Sequence, residues 1–357
     1  MTRSTPQGGR PAADHIGIDL HKRESQICIE TDQGEVIENR IRTERERFIA
    51  VFGQRPRAKI LIESMTEAEW VARCLEALGH EVIVADPSFA AMYATRSRRV
   101  KTDRRDAVTL ADACRLQAYR RAHPASDRQR HVRAELAVRD VLVRTRVKCV
   151  SLVGALLRRQ GIHLPSGNVD AFVARVERQE LTEEVQREIA PLLTLIRSAS
   201  AELEAADARI GAIAAADPVI ERLRTVPGVG PITATAFVAT LDTWERFEGP
   251  HQVEAYLALV PSEKSSGERQ HRGQITKAGN SRARWLLVEA AWSVFRSRRD
   301  DTEPLRRWAQ RVALRRGTKA GIVALARKLA GILYAMWRDG STYEKREGRT
   351  AQEAATR

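Results

Sequence analysis

Three short segments near the start of the chain, each alternating apolar and polar residues, constrain its fold more than any other feature. His15-Ile16-Gly17-Ile18-Asp19 alternates, Ser25 to Glu30 alternates again, and Thr31-Asp32-Gln33-Gly34 makes a hairpin turn into Glu35 to Ile41. A period of two puts successive side chains on opposite faces of a strand, so residues 14 to 42 read as a three-stranded meander. The spacing then predicts a helix over Thr43 to Phe52, a strand over Ala58 to Ile62, a helix over Glu67 to Leu78 closed by Gly79, and a fifth strand over Glu81 to Ala85. The Ala58 to Ile62 strand is largely apolar, as a strand covered on both faces must be.

A meander followed by alternating helices and strands is the element order of the RNase H-like fold. From Thr102 to about Gln160 the pattern is helical, with Gly161 and Leu164-Pro165-Ser166-Gly167 as a break. Asp170 to Ala215 is helical again. There Ile189, Leu192, Leu193, Ile196, Leu203 and Ile210 keep near-heptad spacing, which predicts a coiled-coil hairpin. Asp217-Pro218 marks a boundary into a mainly helical region ending near Arg338, and Tyr343 to Arg357 reads as a disordered tail. The expected architecture is α/β plus mainly α: an RNase H-like domain over 14–160, a helical coiled coil over 168–215 and a helical domain over 216–340.

Sixty Lys and Arg against 46 Asp and Glu give a net charge of +14. Such a surplus favours a polyanionic partner, and nucleic acid is the common one. Cys28, Cys74, Cys114 and Cys149 are scattered without a CxxC pair, which predicts buried thiols and argues against disulfides or a zinc site. No apolar run approaches the roughly 20 residues of a membrane span. Met1 to Ala13 lacks the apolar stretch of a signal peptide, so the expectation is a cytoplasmic, nucleoid-associated protein with no membrane partner.

Four acids stand where a fold would not place them for stability alone. Asp19 lies inside the first strand pattern on the face opposite Ile18, and Glu63 ends the apolar run Ile60-Leu61-Ile62. Asp103 and Asp106 are three residues apart at the start of a helix and share one face. Converging carboxylates repel one another unless cations neutralise them. Hard oxygen ligands suit Mg²⁺ or Mn²⁺, and two such ions about 4 Å apart can clamp the attacking and leaving oxygens of a phosphoryl transfer. Singly, each acid has an ordinary reading: an exposed edge residue, or a helix cap for Asp103 with Asp106 in its first turn. Their joint placement is what RNase H-like nucleases require.

Gly17-Ile18-Asp19-Leu20-His21-Lys22, Ile62-Glu63-Ser64 and Lys101-Thr102-Asp103-Arg104-Arg105-Asp106-Ala107 resemble the three blocks of the DEDD transposases of the insertion sequence 110 family. That family usually has Ala-Thr-Gly after the Glu, where this chain has Ser64-Met65-Thr66. The resemblance implies an N-terminal domain like that of Holliday-junction resolvases. Arg96, Arg98, Arg99, Lys101, Arg104 and Arg105 surround the acidic pair, as a solvated face or as phosphate contacts.

Further on, Thr225-Val226-Pro227-Gly228-Val229-Gly230-Pro231 lies between helical patterns. It reads either as an ordinary tight connection or as a helix-hairpin-helix whose backbone N–H groups around Gly228 and Gly230 bind a phosphate. A polar stretch from Ser262 to Gly273 reads as a Gly-containing loop, followed by Lys277 and an Arg-bearing helix from Ser281 through Trp292. Trp244, Trp285 and Trp292 lie in apolar helical patterns and are read as core. The stretch from Pro227 to Trp292 resembles the second conserved domain of the same family. There, the resemblance implies, a serine before the loop glycine is the covalent nucleophile; the matching position is Ser266, with Ser265 beside it as the alternative. It further implies a site shared between subunits of a homo-oligomer, donor and target DNA, and a structured guide RNA. A hydrolytic nuclease using the acids alone, or a non-catalytic nucleic-acid-binding protein, are the other readings the residues allow.

Overall fold

The computed structural model describes residues 14–87, 89–94, 102–123, 125–266, 269–277 and 279–344, and for residues 263–272 the backbone only. The chain divides into two compact units, at Pro124/Ala125.

In the first unit β1 (His15–Leu20), β2 (Glu24–Glu30) and β3 (Val36–Arg42) form the expected meander, followed by α1 (Arg45–Phe52), β4 (Lys59–Glu63), α2 (Ala68–Ala77), β5 (Glu81–Ala85), a 3₁₀ turn over Ala90–Tyr93 and α3 (Asp103–Leu116). The sheet order is β3-β2-β1-β4-β5. β1 pairs antiparallel with β2 and parallel with β4, which pairs parallel with β5. Alternation sends Ile16, Ile18, Leu20, Ile27, Ile29, Ile60 and Ile62 to one face, where they pack with Phe48 and Phe52 of α1 and Val71 and Leu75 of α2. The other face carries Leu61 and Ile83 against Leu110 and Cys114 of α3, and Cys28 against Ala107 and Ala111. At Gly17 a Cβ would stand 2.2 Å from Ala107 O and 2.2 Å from Ala111 N, so glycine alone lets α3 approach β1 this closely.

The helical pattern from Thr102 to Gln160 is not one helix. α3 stops at Gln117, which takes left-handed backbone (φ 55°), and Arg121 then bridges to Ala85. A new helix, α4 (Asp127–Arg159), starts behind the Ser126 cap. The units thus part ahead of α4, whereas the sequence assigned residues up to 160 to the acidic domain. The reason is packing: α4 lays its apolar stripe on the later helix α6 (Glu183–Ala215).

These two helices of 33 residues each, about 50 Å long at the usual rise, run antiparallel with α5 (Phe172–Glu177) between them in the chain. Leu157 and Val153 pack near Val185 and Ile189 at one end, and Val132 and Leu136 near Ile210 at the other. Buried α6 positions step by three and four from Val185 through Ala214, as the sequence spacing predicts.

Next come α7 (Pro218–Leu223), α8 (Pro231–Leu241), a 3₁₀ turn over Trp244–Arg246, α9 (Pro250–Tyr256), β6 (Pro261–Ser266), β7 (Arg269–Ile275), α10 (Ser281–Arg296), a 3₁₀ turn over Asp300–Thr302, α11 (Glu303–Arg316) and α12 (Thr318–Asp339). The segment read as a polar loop is instead an antiparallel hairpin, with Ser265 opposite Gln270 and Ser266 opposite Arg269. Phe237, Leu287, Leu325, Leu329, Leu333 and Tyr334 fill this unit's core, and the Tyr334 hydroxyl donates to Phe247 O at 2.6 Å. α12 is long and apolar enough, by length and composition, to cross a membrane, against the sequence expectation that nothing approaches a span; its buried side lies in this core.

Replacing Gly17 with Ala is expected to cost about 3 kcal/mol, the upper range for forcing atoms into a packed interior. Gly211, inside α6 with open space around it, should instead give about 0.5–1 kcal/mol of stabilisation when changed to Ala. Urea midpoints of the two variants check the pair of signs.

A candidate metal-binding acidic site

Asp19 sits one residue from the end of β1, opposite Gln26 of β2, on the sheet face that α3 covers. The sequence puts it on the face opposite Ile18, toward the polar side of the sheet; α3 covers that face, and Asp19 is only 8% exposed. Glu63 ends β4, the parallel neighbour of β1, on the same face as Leu61. Both acids therefore lie at the C-terminal edge of adjacent parallel strands. Asp103 and Asp106 stand in the first turn of α3, whose cap is Thr102, accepting from Arg105 N at 3.4 Å. This settles the local alternative: Asp103 is not the cap. Acids in the first turn also meet the favourable end of the helix dipole.

The four carboxylates feel one another. Burial pushes the Asp19 carboxyl up from its usual 3.8 to about 6; the charge of His21 opposes this, and Asp106, Asp103 and Glu63 each add to the rise. Asp19 Oδ2 is buried and accepts no hydrogen bond. Its nearest charged neighbour is His21 Nε2 at 3.3 Å, which also lies 3.4 Å from Asp103 Oδ1. Ligand atoms of Asp19, His21 and Asp103 all fall within 4.8 Å of one another. A buried carboxylate that makes no hydrogen bond through this oxygen, with a ring nitrogen and further acids around it, is the arrangement a divalent cation satisfies, so these residues fit one. The sequence reading passed over His21. Its signal was there: it lies two residues beyond Asp19, just past the strand end, where the chain turns back (His21 N to Glu24 O, 3.1 Å).

The other candidates are placed unevenly. Arg104 is exposed and its guanidinium pairs with Glu38 of β3, so a phosphate contact there has to displace that carboxylate. Arg105 is exposed on the same turn. Arg96, Arg98, Arg99 and Lys101 lie outside the described residues. In the second unit, Gly228 has φ +82°, and a Cβ on it would meet Val294 Cγ2 at 2.6 Å and Ala290 O at 2.9 Å. Packing on α10 thus accounts for that glycine. Gly230, the residue before α8, faces open space, and Lys277 is exposed on left-handed backbone (φ 56°). Ser266 is the last residue of β6; its side chain, like that of Ser265, lies outside the described residues. Trp244 and Trp292 pack against the core as expected, but Trp285 is 47% exposed, which corrects its reading as core.

An acid whose folded value is raised binds its proton more tightly in the fold than in the unfolded chain. Stability therefore falls as pH rises from about 4 to about 6, and the loss persists above that window. Without divalent metal, Asp19→Asn is expected to be more stable than the parent at pH 7.5 by on the order of 2 kcal/mol, with the gap closing toward pH 4. Melting in chelator across that range measures it.

Two family models match the chain. Residues 16–160 match the DEDD-type IS110 model described as Transposase, and residues 220–305 match Transposase IS116/IS110/IS902 family. A probable family 20 transposase of Pseudomonas aeruginosa is 32% identical over 90% of this chain and 96% of its own length. The transposase for insertion sequence element IS1328 of Yersinia enterocolitica is 28% identical over 94% and 100%. That for IS1111A of Coxiella burnetii is 26% identical over 92% and 90%. With both of its units matched in order and a 32% identical relative covered almost end to end, the chain belongs to the IS110 family of transposases.

Proposed function

We propose that the chain moves a DNA element by strand cleavage and rejoining, with Asp19, Glu63, Asp103 and Asp106 holding Mg²⁺ or Mn²⁺ and Ser266 as the attacking group. One observation carries the metal half: the buried Asp19 carboxylate, with only the His21 ring nitrogen close to its Oδ2, among three further acids. The strand order β3-β2-β1-β4-β5, with α3 bringing two acids to the edge of β1 and β4, supports an RNase H-like reading of the first unit. Cations bound there would neutralise charge developing on the scissile phosphate.

The chain's own residues supply the rest. Asp19 and Glu63 are fixed by strands, which gives them little freedom to follow a misplaced ligand. Asp103 and Asp106 enter from a helix terminus that favours negative charge. His21, between Asp19 and Asp103, joins them as a ligand or holds their carboxylates in place through its Nε2. The Ser266 hydroxyl attacks phosphorus and loses its proton, a phosphoserine forms, and the leaving sugar oxygen takes up a proton. A hydroxyl of a second DNA end then reverses these steps and frees the serine. Support for Ser266 is the family resemblance of its hairpin, as it is for a structured guide RNA and for assembly as a homo-oligomer with donor and target DNA. The turn before α8, with Gly230, is proposed to bind a backbone phosphate, as are Arg104, Arg105 and Lys277.

A nicked suicide DNA substrate with Mg²⁺ tests the proposal. The parent chain is expected to give a covalent protein–DNA adduct that survives denaturation, and Ser265→Ala to keep it. Ser266→Ala and Asp19→Ala should lose it, the latter with cleavage slowed on the order of 10³-fold or more. Cleavage by Ser266→Ala would make water the nucleophile, and full cleavage by Asp19→Ala would remove the acids from catalysis.

A further inference from the structure

Within the second unit, α4 and α10 enclose a groove of about 560 Å³ that no step above uses. Its walls are Val143 and Val147 of α4 and the indole of Trp285 on α10. Arg144 and Lys148 stand on its rim one helical turn apart, both exposed, and neither forms an ion pair among the described residues. At its floor Arg282 pairs with Asp140, a carboxylate only 12% exposed at its side chain. Trp285 is half exposed although its chain neighbours Leu286 and Leu287 are buried. A large aromatic left in water beside two uncompensated cations contributes little to folding and is suited to a flat, anionic ligand.

We propose that this groove binds single-stranded DNA, with an unpaired base stacked on Trp285 and the adjoining phosphates held by Arg144 and Lys148. A volume of about 560 Å³ lies in the range of sites that enclose a small planar group. Bases inside a duplex are stacked on both faces and cannot offer one to the indole, so the occupant is a strand with exposed bases. The choice of DNA over RNA rests on the strand cleavage and rejoining proposed above, and oligo-U tests the ribose alternative. A second copy of this chain, itself of net charge +14, is a poorer match to Arg144 and Lys148 than a polyanion. Strand cleavage and rejoining exposes single-stranded DNA. A groove lined by neither the acids nor Ser266 could hold such a strand without occupying them.

Binding by the full-length protein is measured in chelator, so that neither acid-site metal nor cleavage enters, with oligo-dT, a mixed duplex of equal length and oligo-U as probes. Trp285→Ala is expected to weaken oligo-dT binding about 5- to 100-fold, the usual worth of one stacked base, and to leave duplex affinity within about twofold. Trp285→Phe should recover most of the loss, and its melting temperature shows that the fold survives. The Arg144→Gln/Lys148→Gln double variant should lower the slope of log affinity against log salt by about 1.4, two phosphates' worth for a single strand. Unchanged oligo-dT binding by Trp285→Ala would overturn the proposal. So would an equal loss for duplex, a loss confined to oligo-U, or a change of oligomeric state with oligo-dT binding intact.

Discussion

The approach of α3 to β1 is the constraint on which the first unit depends. Gly17 leaves no room for even a methyl group between the strand and the backbone of Ala107 and Ala111. Drawn in that far, the helix begins beside the end of β1, and its first turn delivers Asp103 and Asp106 toward Asp19. A larger residue at 17 would lift the helix and open the acidic cluster with it. Stability and site are set by the same contact.

The cluster is costly to the protein on its own. Asp19 is nearly buried, its carboxyl is driven up to about 6, and one of its oxygens makes no hydrogen bond, with only the His21 ring nitrogen close by. Native proteins seldom leave a buried polar atom unpaired without a function for it. Strain of this kind, gathered at the strand ends where the acids meet, fits a cation site. In the second unit the largely buried carboxylates of Asp140, Asp217 and Glu254 are each tied to an arginine, and Tyr334 is satisfied by a carbonyl.

Much of this was legible in the sequence. The meander follows from period-two alternation, Asp19 and Glu63 stand out as carboxylates in apolar strand patterns, and Asp103 and Asp106 stand out by their spacing at a helix start. What escaped had weaker local signals. Gln117 ends α3 in left-handed backbone without a glycine to announce it, so the break between α3 and α4 leaves no mark in the helical pattern, and the compact units part inside the 16–160 stretch that the transposase model spans. The β6–β7 hairpin is polar along both strands, and a strand with no apolar face gives no period to detect. Trp285 was misread from its apolar neighbours. The helical period would have grouped it with exposed Ser281 and Glu289, four residues to either side. His21 was overlooked because it falls just beyond the strand that defines its neighbour.

The central claim is that the four acids form a cation site. Diffraction from crystals soaked in Mn²⁺, recorded at the manganese absorption edge, tests it most directly. The expected result is an anomalous peak within coordinating distance of the Asp19 and Asp103 carboxylates. A map without a peak there, with manganese bound only at other carboxylates, would contradict it.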